Sequence, residues 1–178
     1  MSATRTPPRQ IVFATALLIA VSLSFAARAA DDARQQEVAQ RGSQVMPFDL
    51  KATTHIFTKT EDGGVQRVVV KNGLDTQQIQ LIRAHLRDMQ ARFARGDFSG
   101  PAQIHGREMP GLASLKSAKP GTIVYSYRQV DGGAELSYRT SDATLIAALH
   151  SWFDAQVSDH GADAVEGHAH DHGSASMH

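Results

Sequence analysis

Two stretches of the chain repeat one pattern of apolar and polar positions. Thr53–Thr60 (TTHIFTKT) and Val65–Lys71 (VQRVVVK) are β-branched runs joined by Glu61-Asp62-Gly63-Gly64. Asp-Gly-Gly supplies the positive φ angles of a tight turn, so a hairpin is expected there. Asp75 then reads as an N-cap. Ile79, Ile82, Leu86, Met89 and Phe93 recur at three- and four-residue spacing, which predicts an amphipathic helix near 75–95 that ends by Gly96. The pattern returns in Thr122–Val130 (TIVYSYRQV) and Ala134–Thr140 (AELSYRT), joined by Asp131-Gly132-Gly133. Ser141 or Asp142 caps a second helix near 142–158, with Leu145, Ile146, Leu149, Trp152, Phe153 and Val157 as its apolar stripe. Each turn precedes its helix cap by nearly the same number of residues, which suggests a ββα–ββα duplication. The expected fold is α+β, a four-stranded antiparallel sheet with two helices on one face.

Between the halves, Ala102–Leu112 (AQIHGREMPGL) reads as a glycine- and proline-marked loop that carries His105 and Met109. Gly111–Ala118 has room for one helical turn before Lys119-Pro120-Gly121 breaks the chain. At the N-terminus, Arg5 and Arg9 precede an apolar run from Ile11 to Phe25, and Ala27-Arg28-Ala29 has the small-x-small form of a cleavage site. Residues 1–29 are therefore expected to be a signal peptide. The run is shorter than the roughly 20 residues of a membrane span, so no stable membrane insertion is expected. Residues 30–45 form a polar leader with only Val38 and scattered alanines, residues 46–161 the folded domain, and residues 162–178 a flexible histidine-rich tail. The protein should be periplasmic or secreted, beginning at Ala30 or Asp31 when mature. Mass spectrometry of protein from the native host checks this; an intact N-terminus in the cytoplasm would overturn it.

Charge narrows the partners. The 18 basic and 18 acidic residues balance, but Arg5, Arg9 and Arg28 leave with the signal and no acidic residue does, so the mature chain carries −3. No basic field remains to attract nucleic acid. Cysteine is absent, which removes thiolate ligands and a thiol nucleophile, and a domain of this size can bury a core without disulfides. Nor is there a nucleophile elbow, phosphate loop or dinucleotide fingerprint.

Histidine is the residue type that stands out, and neutral imidazole is the commonest metal ligand. In the tail, His168, His170 and His172 alternate, followed by His178, and such a tract can chelate a metal without a fold. In the domain, His85 and His150 border the apolar stripes of the two helices, and His55 lies on the first strand on the side of Phe57. His105 is in the central stretch and His160 follows the second helix. If both helices pack on one sheet face, His85 and His150 approach across the seam and His105 closes over them. Met109, His160 or Asp159 could then be the fourth ligand of a tetrahedral site. Methionine would favour Cu(I), and a carboxylate or water Zn²⁺. The spacing matches no compact motif such as His-Glu-x-x-His.

Segments 46–50 (MPFDL), 53–57 (TTHIF), 96–112 (GDFSGPAQIHGREMPGL) and 147–161 (AALHSWFDAQVSDHG) resemble a family of small exported bacterial proteins without an established function, often labelled aspartate carbamoyltransferase. The resemblance implies a recognisable domain unit over 46–161 and no catalytic residue. A transcarbamoylase chain is far longer and has two α/β domains. Ser137-Tyr138-Arg139-Thr140 echoes that enzyme's phosphate-binding segment, but it lies on an expected strand rather than at a helix start. Three functions stay open: an exported copper or zinc carrier, buffer or sensor; a small metal-dependent enzyme with Glu108 or Asp159 as general base; and a structural or interaction domain of the cell envelope with packing histidines.

Overall fold

A computed structural model describes residues 12–168, with side chains placed from Arg28 onward. Five helices, α1 (Val12–Val45), α2 (Thr76–Phe93), α3 (Ser99–His105), α4 (Leu112–Ser117) and α5 (Ala143–His160), accompany five strands, β1 (Thr53–Thr60), β2 (Gly63–Val70), β3 (Val124–Val130), β4 (Gly133–Arg139) and β5 (Ala164–Gly167). The sheet runs β3-β4-β2-β1-β5. The α+β class is as the pattern predicts, with both hairpins antiparallel and β2 against β4 between them. The sheet is nevertheless mixed and five-stranded rather than four-stranded and antiparallel, because β5 adds to the edge parallel to β1. Among the described residues no helix is long and apolar enough to cross a membrane.

The turns hold a smaller departure. Thr60 pairs with Gly63, and Val130 with Gly133, so the two-residue loops are Glu61-Asp62 and Asp131-Gly132. The two Asp-Gly-Gly segments both sit at hairpins but are one residue out of step. Gly63 (φ 140°) and Gly132 (φ 72°) take the positive angles.

Helices α2 and α5 pack on the same face of the sheet. Asp75 caps α2 by accepting from Gln78 N, and the Asp142 side chain caps α5 through Thr144 N and Leu145 N, so both helices start where short polar side chains stop the strands from running on. Their stripes bury Ile82, Leu86, Leu149, Trp152 and Phe153 against Phe57, Val68, Leu136 and Tyr138. Alternation along β1 turns Thr53, His55 and Phe57 inward, and this puts a histidine into the core layer. The opposite face of the sheet carries an Arg67–Glu135–Arg128 ion pair ladder together with the partly exposed Val165.

Two segments outside the expected domain pack against it: the leader, readable as a short helix or as disordered, and the start of the tail expected to be flexible. The leader 30–45 is the second half of α1, with Val38 fully buried and Arg34 bonded to Asp159 of α5. In the tail, residues 161–163 form a 3-10 turn and Ala164, at the head of β5, is buried beside His55. Tertiary contacts order these polar stretches, whose composition cannot build a core of its own. The stretch 102–112 is likewise not one loop: His105 is the last residue of α3, and Gly106 (φ 87°) ends that helix.

Candidate functional site

Four of the five domain histidines line one cleft of about 200 Å³. His55 reaches it from β1, His85 from α2, His105 from the end of α3 and His160 from the end of α5. The α5–β5 connection is what joins two of them. Gly161 (φ 52°) reverses the chain after His160, and β5 then runs back beside β1 with Ala164 opposite His55. The His55 and His160 rings stack, with centroids 5.1 Å apart and planes 3° from parallel, while His105 meets His160 edge-on at 5.0 Å. Phe48 stands between His55 and His85, 5.9 and 5.5 Å from their rings.

His105 is held by a chain of charged hydrogen bonds. Its Nδ1 lies 2.7 Å from Asp159 Oδ2. Arg34 donates from Nε to Asp159 Oδ1 (2.9 Å) and from Nη2 to both Asp159 Oδ2 (2.7 Å) and the carbonyl oxygen of His105 (2.6 Å). With the proton on Nδ1 facing the carboxylate, the lone pair of the neutral ring is on Nε2. Carboxylate–histidine pairs of this kind fix the tautomer and ring orientation of metal-ligating histidines. Burial alone would push the Asp159 carboxyl up, but the hydrogen bonds from His105 and Arg34 outweigh it and hold the group down at about 2.

The remaining imidazoles are kept neutral. Burial lowers His55 to about 4, helped by the charge His85 would carry, with Asp163 opposing. Burial also lowers His85 to about 4, with Asp88 opposing and Arg92 assisting. His160 is pushed well below the ordinary histidine value, first by burial and then by the neighbouring His55 and His105. Neither ring nitrogen of His55 makes a hydrogen bond of proper geometry, although both are buried. Each such orphan costs on the order of 1–3 kcal/mol relative to a satisfied group, so a ligand that engaged one would recover it.

The other candidates are elsewhere. His150 points Nε2 at the carbonyl oxygens of Thr60 (3.0 Å) and Gly63 (2.9 Å), so it braces the first hairpin and takes no part in the cleft. Met109 is buried in the core and borders a neighbouring depression with Arg34, His105, Glu108 and Asp159. It does not line the histidine cleft as a fourth ligand. Asp159 is committed to His105 and Arg34, and Glu108 lies on that outer side, so neither stands in the cleft as a free general base. His168 is exposed just after β5; His170, His172 and His178 lie outside the described residues. Sequence reasoning missed Met46 and Met89, which also line the cleft, and the position of Met89 one helical turn after His85 was the available signal.

Among the described residues no three histidine or carboxylate side chains stand at metal-ligand spacing. The stacking gives the reason for the central pair. An imidazole lone pair lies in the plane of its ring, so two parallel rings cannot aim at one point until one of them turns. No protein-family model, no curated protein and no solved structure matches the chain.

Proposed function

We propose that this is an exported metal-binding protein that takes up copper or zinc at the histidine cleft, as a carrier, buffer or sensor of the periplasm or the external medium. The observation that carries the reading is the Arg34–Asp159–His105 chain, which orients a buried imidazole whose ring meets that of His160 edge-on, with His55 stacked on His160. Neutral imidazole is the ligating form, and burial holds His55, His85 and His160 in that form at pH 7. A turn of the His160 ring about its side-chain bonds would break the stack and let it face the same point as His105. Nothing in the cleft suggests carbamoyl transfer.

The test is titration with Zn²⁺ and Cu²⁺ of the full chain with the tail histidines His168, His170, His172 and His178 replaced by alanine. One site is expected, and the His105→Ala, His160→Ala double variant should weaken it by at least about 100-fold, since loss of ligands or of their orienting partners each costs 10- to 100-fold. A second reading is favoured by the parallel stack of His55 on His160: the imidazoles serve as aromatic packing in a structural or interaction domain. Equal, weak binding by the parent and the double variant would establish that reading instead.

A further inference from the structure

We infer that the metal of this cleft is monovalent copper, Cu(I), held by imidazole nitrogen together with the thioether sulfur of Met46 or Met89. This rests on the metal-binding reading above and goes beyond it by choosing the ion and adding sulfur to the ligand set.

The donor inventory makes the choice. The cleft presents His55, His85, His105 and His160 with the thioethers of Met46 and Met89. Met89 is one turn beyond His85 on α2, so their side chains rise from the same helix face. Met46 follows the last residue of α1, and its amide bonds back to Gly42 O at 2.8 Å, which fixes the chain as it enters the cleft. The two thioethers carry no charge, and burial keeps His55, His85 and His160 neutral at pH 7. The chain has no cysteine, so no thiolate can add charge. Of the carboxylates that share the lining, Asp97 accepts from Arg92 Nε (2.9 Å) and Ser99, while Asp88 is exposed to solvent, 3.9 Å from Arg92.

Charge and softness then act together. The cost of moving an ion out of water rises as the square of its charge, so a dication in an uncharged cage costs about four times what a monocation does, and burial of even one charge is expensive. Zn²⁺ can be held by imidazoles alone, so it would make no use of the thioethers that share this lining. Thioether sulfur is a soft donor, and soft donors select Cu(I) over Zn²⁺. A monocation held by imidazole and thioether is therefore the occupant this lining suits best.

The experiment uses the full chain with the tail histidines His168, His170, His172 and His178 replaced by alanine. It is loaded with Cu(I) under nitrogen with ascorbate present and competed against a coloured Cu(I) chelator, with Zn²⁺ competed in parallel against a zinc dye. X-ray absorption of the Cu(I) form should show a sulfur shell beside the nitrogen shell. A Met46→Leu, Met89→Leu variant, close in volume, should lose at least about tenfold in Cu(I) affinity while its Zn²⁺ affinity changes by less than about twofold. Metal bound without sulfur scattering, or Cu(I) affinity unchanged in a variant that still folds by circular dichroism, would overturn the choice of ion and ligand and leave the metal-binding reading standing. No binding of either ion would overturn both. Should the double variant fail to fold, the sulfur shell of the unsubstituted chain decides alone.

Discussion

Replacing Phe153 by alanine is expected to lower the free energy of unfolding by about 3–5 kcal/mol, the range for truncating a large aromatic side chain in a core. The ring is 1% exposed and sits where three other rings meet: Phe57 at 5.2 Å, Tyr138 at 5.5 Å and Trp152 at 5.8 Å. Beneath it lies Gly64 of β2, so close that a Cβ there would come within 2.4 Å of the Phe153 ring. The floor of the hole is therefore sheet backbone, held by pairing to β1 and β4, and it cannot move in to fill the space. Sites that collapse poorly pay the full cavity cost, which places this substitution toward the upper end. Val165→Ala is the control, since that side chain is 45% exposed on the uncovered edge of the sheet and should cost less than about 1 kcal/mol. Urea denaturation of the three proteins reads both differences. A loss below about 1 kcal/mol at Phe153 would mean that α5 does not carry the core.

That α5 packs by Trp152 and Phe153 was legible in the spacing of its apolar residues, and so were α2 and both hairpins. What escaped depends on contacts between distant parts of the chain. β5 has only Val165 as a β-former in Ala-Val-Glu-Gly, and it is a strand because β1 offers an edge to pair with. The second half of α1 reads as polar, and it is ordered by Val38 and by the ion pair between Arg34 and Asp159, 125 positions away. The histidine set was legible in part. His55, His85, His105 and His160 do share a cleft, whereas helical spacing alone separates His150 from them, because it lies ten residues before His160 on one helix. At about 1.5 Å per residue the two are roughly 15 Å apart along the axis, too far to bind one ion. Met89 was overlooked because at helical spacing it reads as core, and Met46 because it reads as the start of the domain.

Acid should destabilise the protein steeply between pH 6.5 and pH 4, well before its carboxylates protonate. In the unfolded chain each histidine titrates near 6.5, whereas in the fold burial holds His55 and His85 at about 4 and pushes His160 well below its ordinary value. Between those values the unfolded state binds more protons than the native state, so the free energy of unfolding falls as pH falls. The stability of a buried neutral imidazole is thus fully present above pH 6.5 and is lost on the way down to its folded value. At about 1.4 kcal/mol per pH unit, His55 and His85 account for about 3 kcal/mol each, and together they approach the whole stability of an ordinary domain. Asp159, held at about 2, works over a lower window: its contribution is present above the usual carboxyl value near 3.8 and is lost only as pH falls through 2. It cannot produce the early onset. Urea denaturation at half-unit steps from pH 7.5 to 4 should give a slope equivalent to uptake of about two or more protons on unfolding. His55→Phe, which puts an apolar ring among Phe48, Phe57 and His160, should lower that slope by about one proton. A slope of one proton or less in the parent would mean that the imidazoles are hydrated and the cleft is open to bulk water. The same neutrality bears on metal uptake. His55, His85 and His160 have no proton to give up at pH 7, so a metal they bind there releases few, and its affinity should weaken only once the pH drops toward the range in which the fold itself fails.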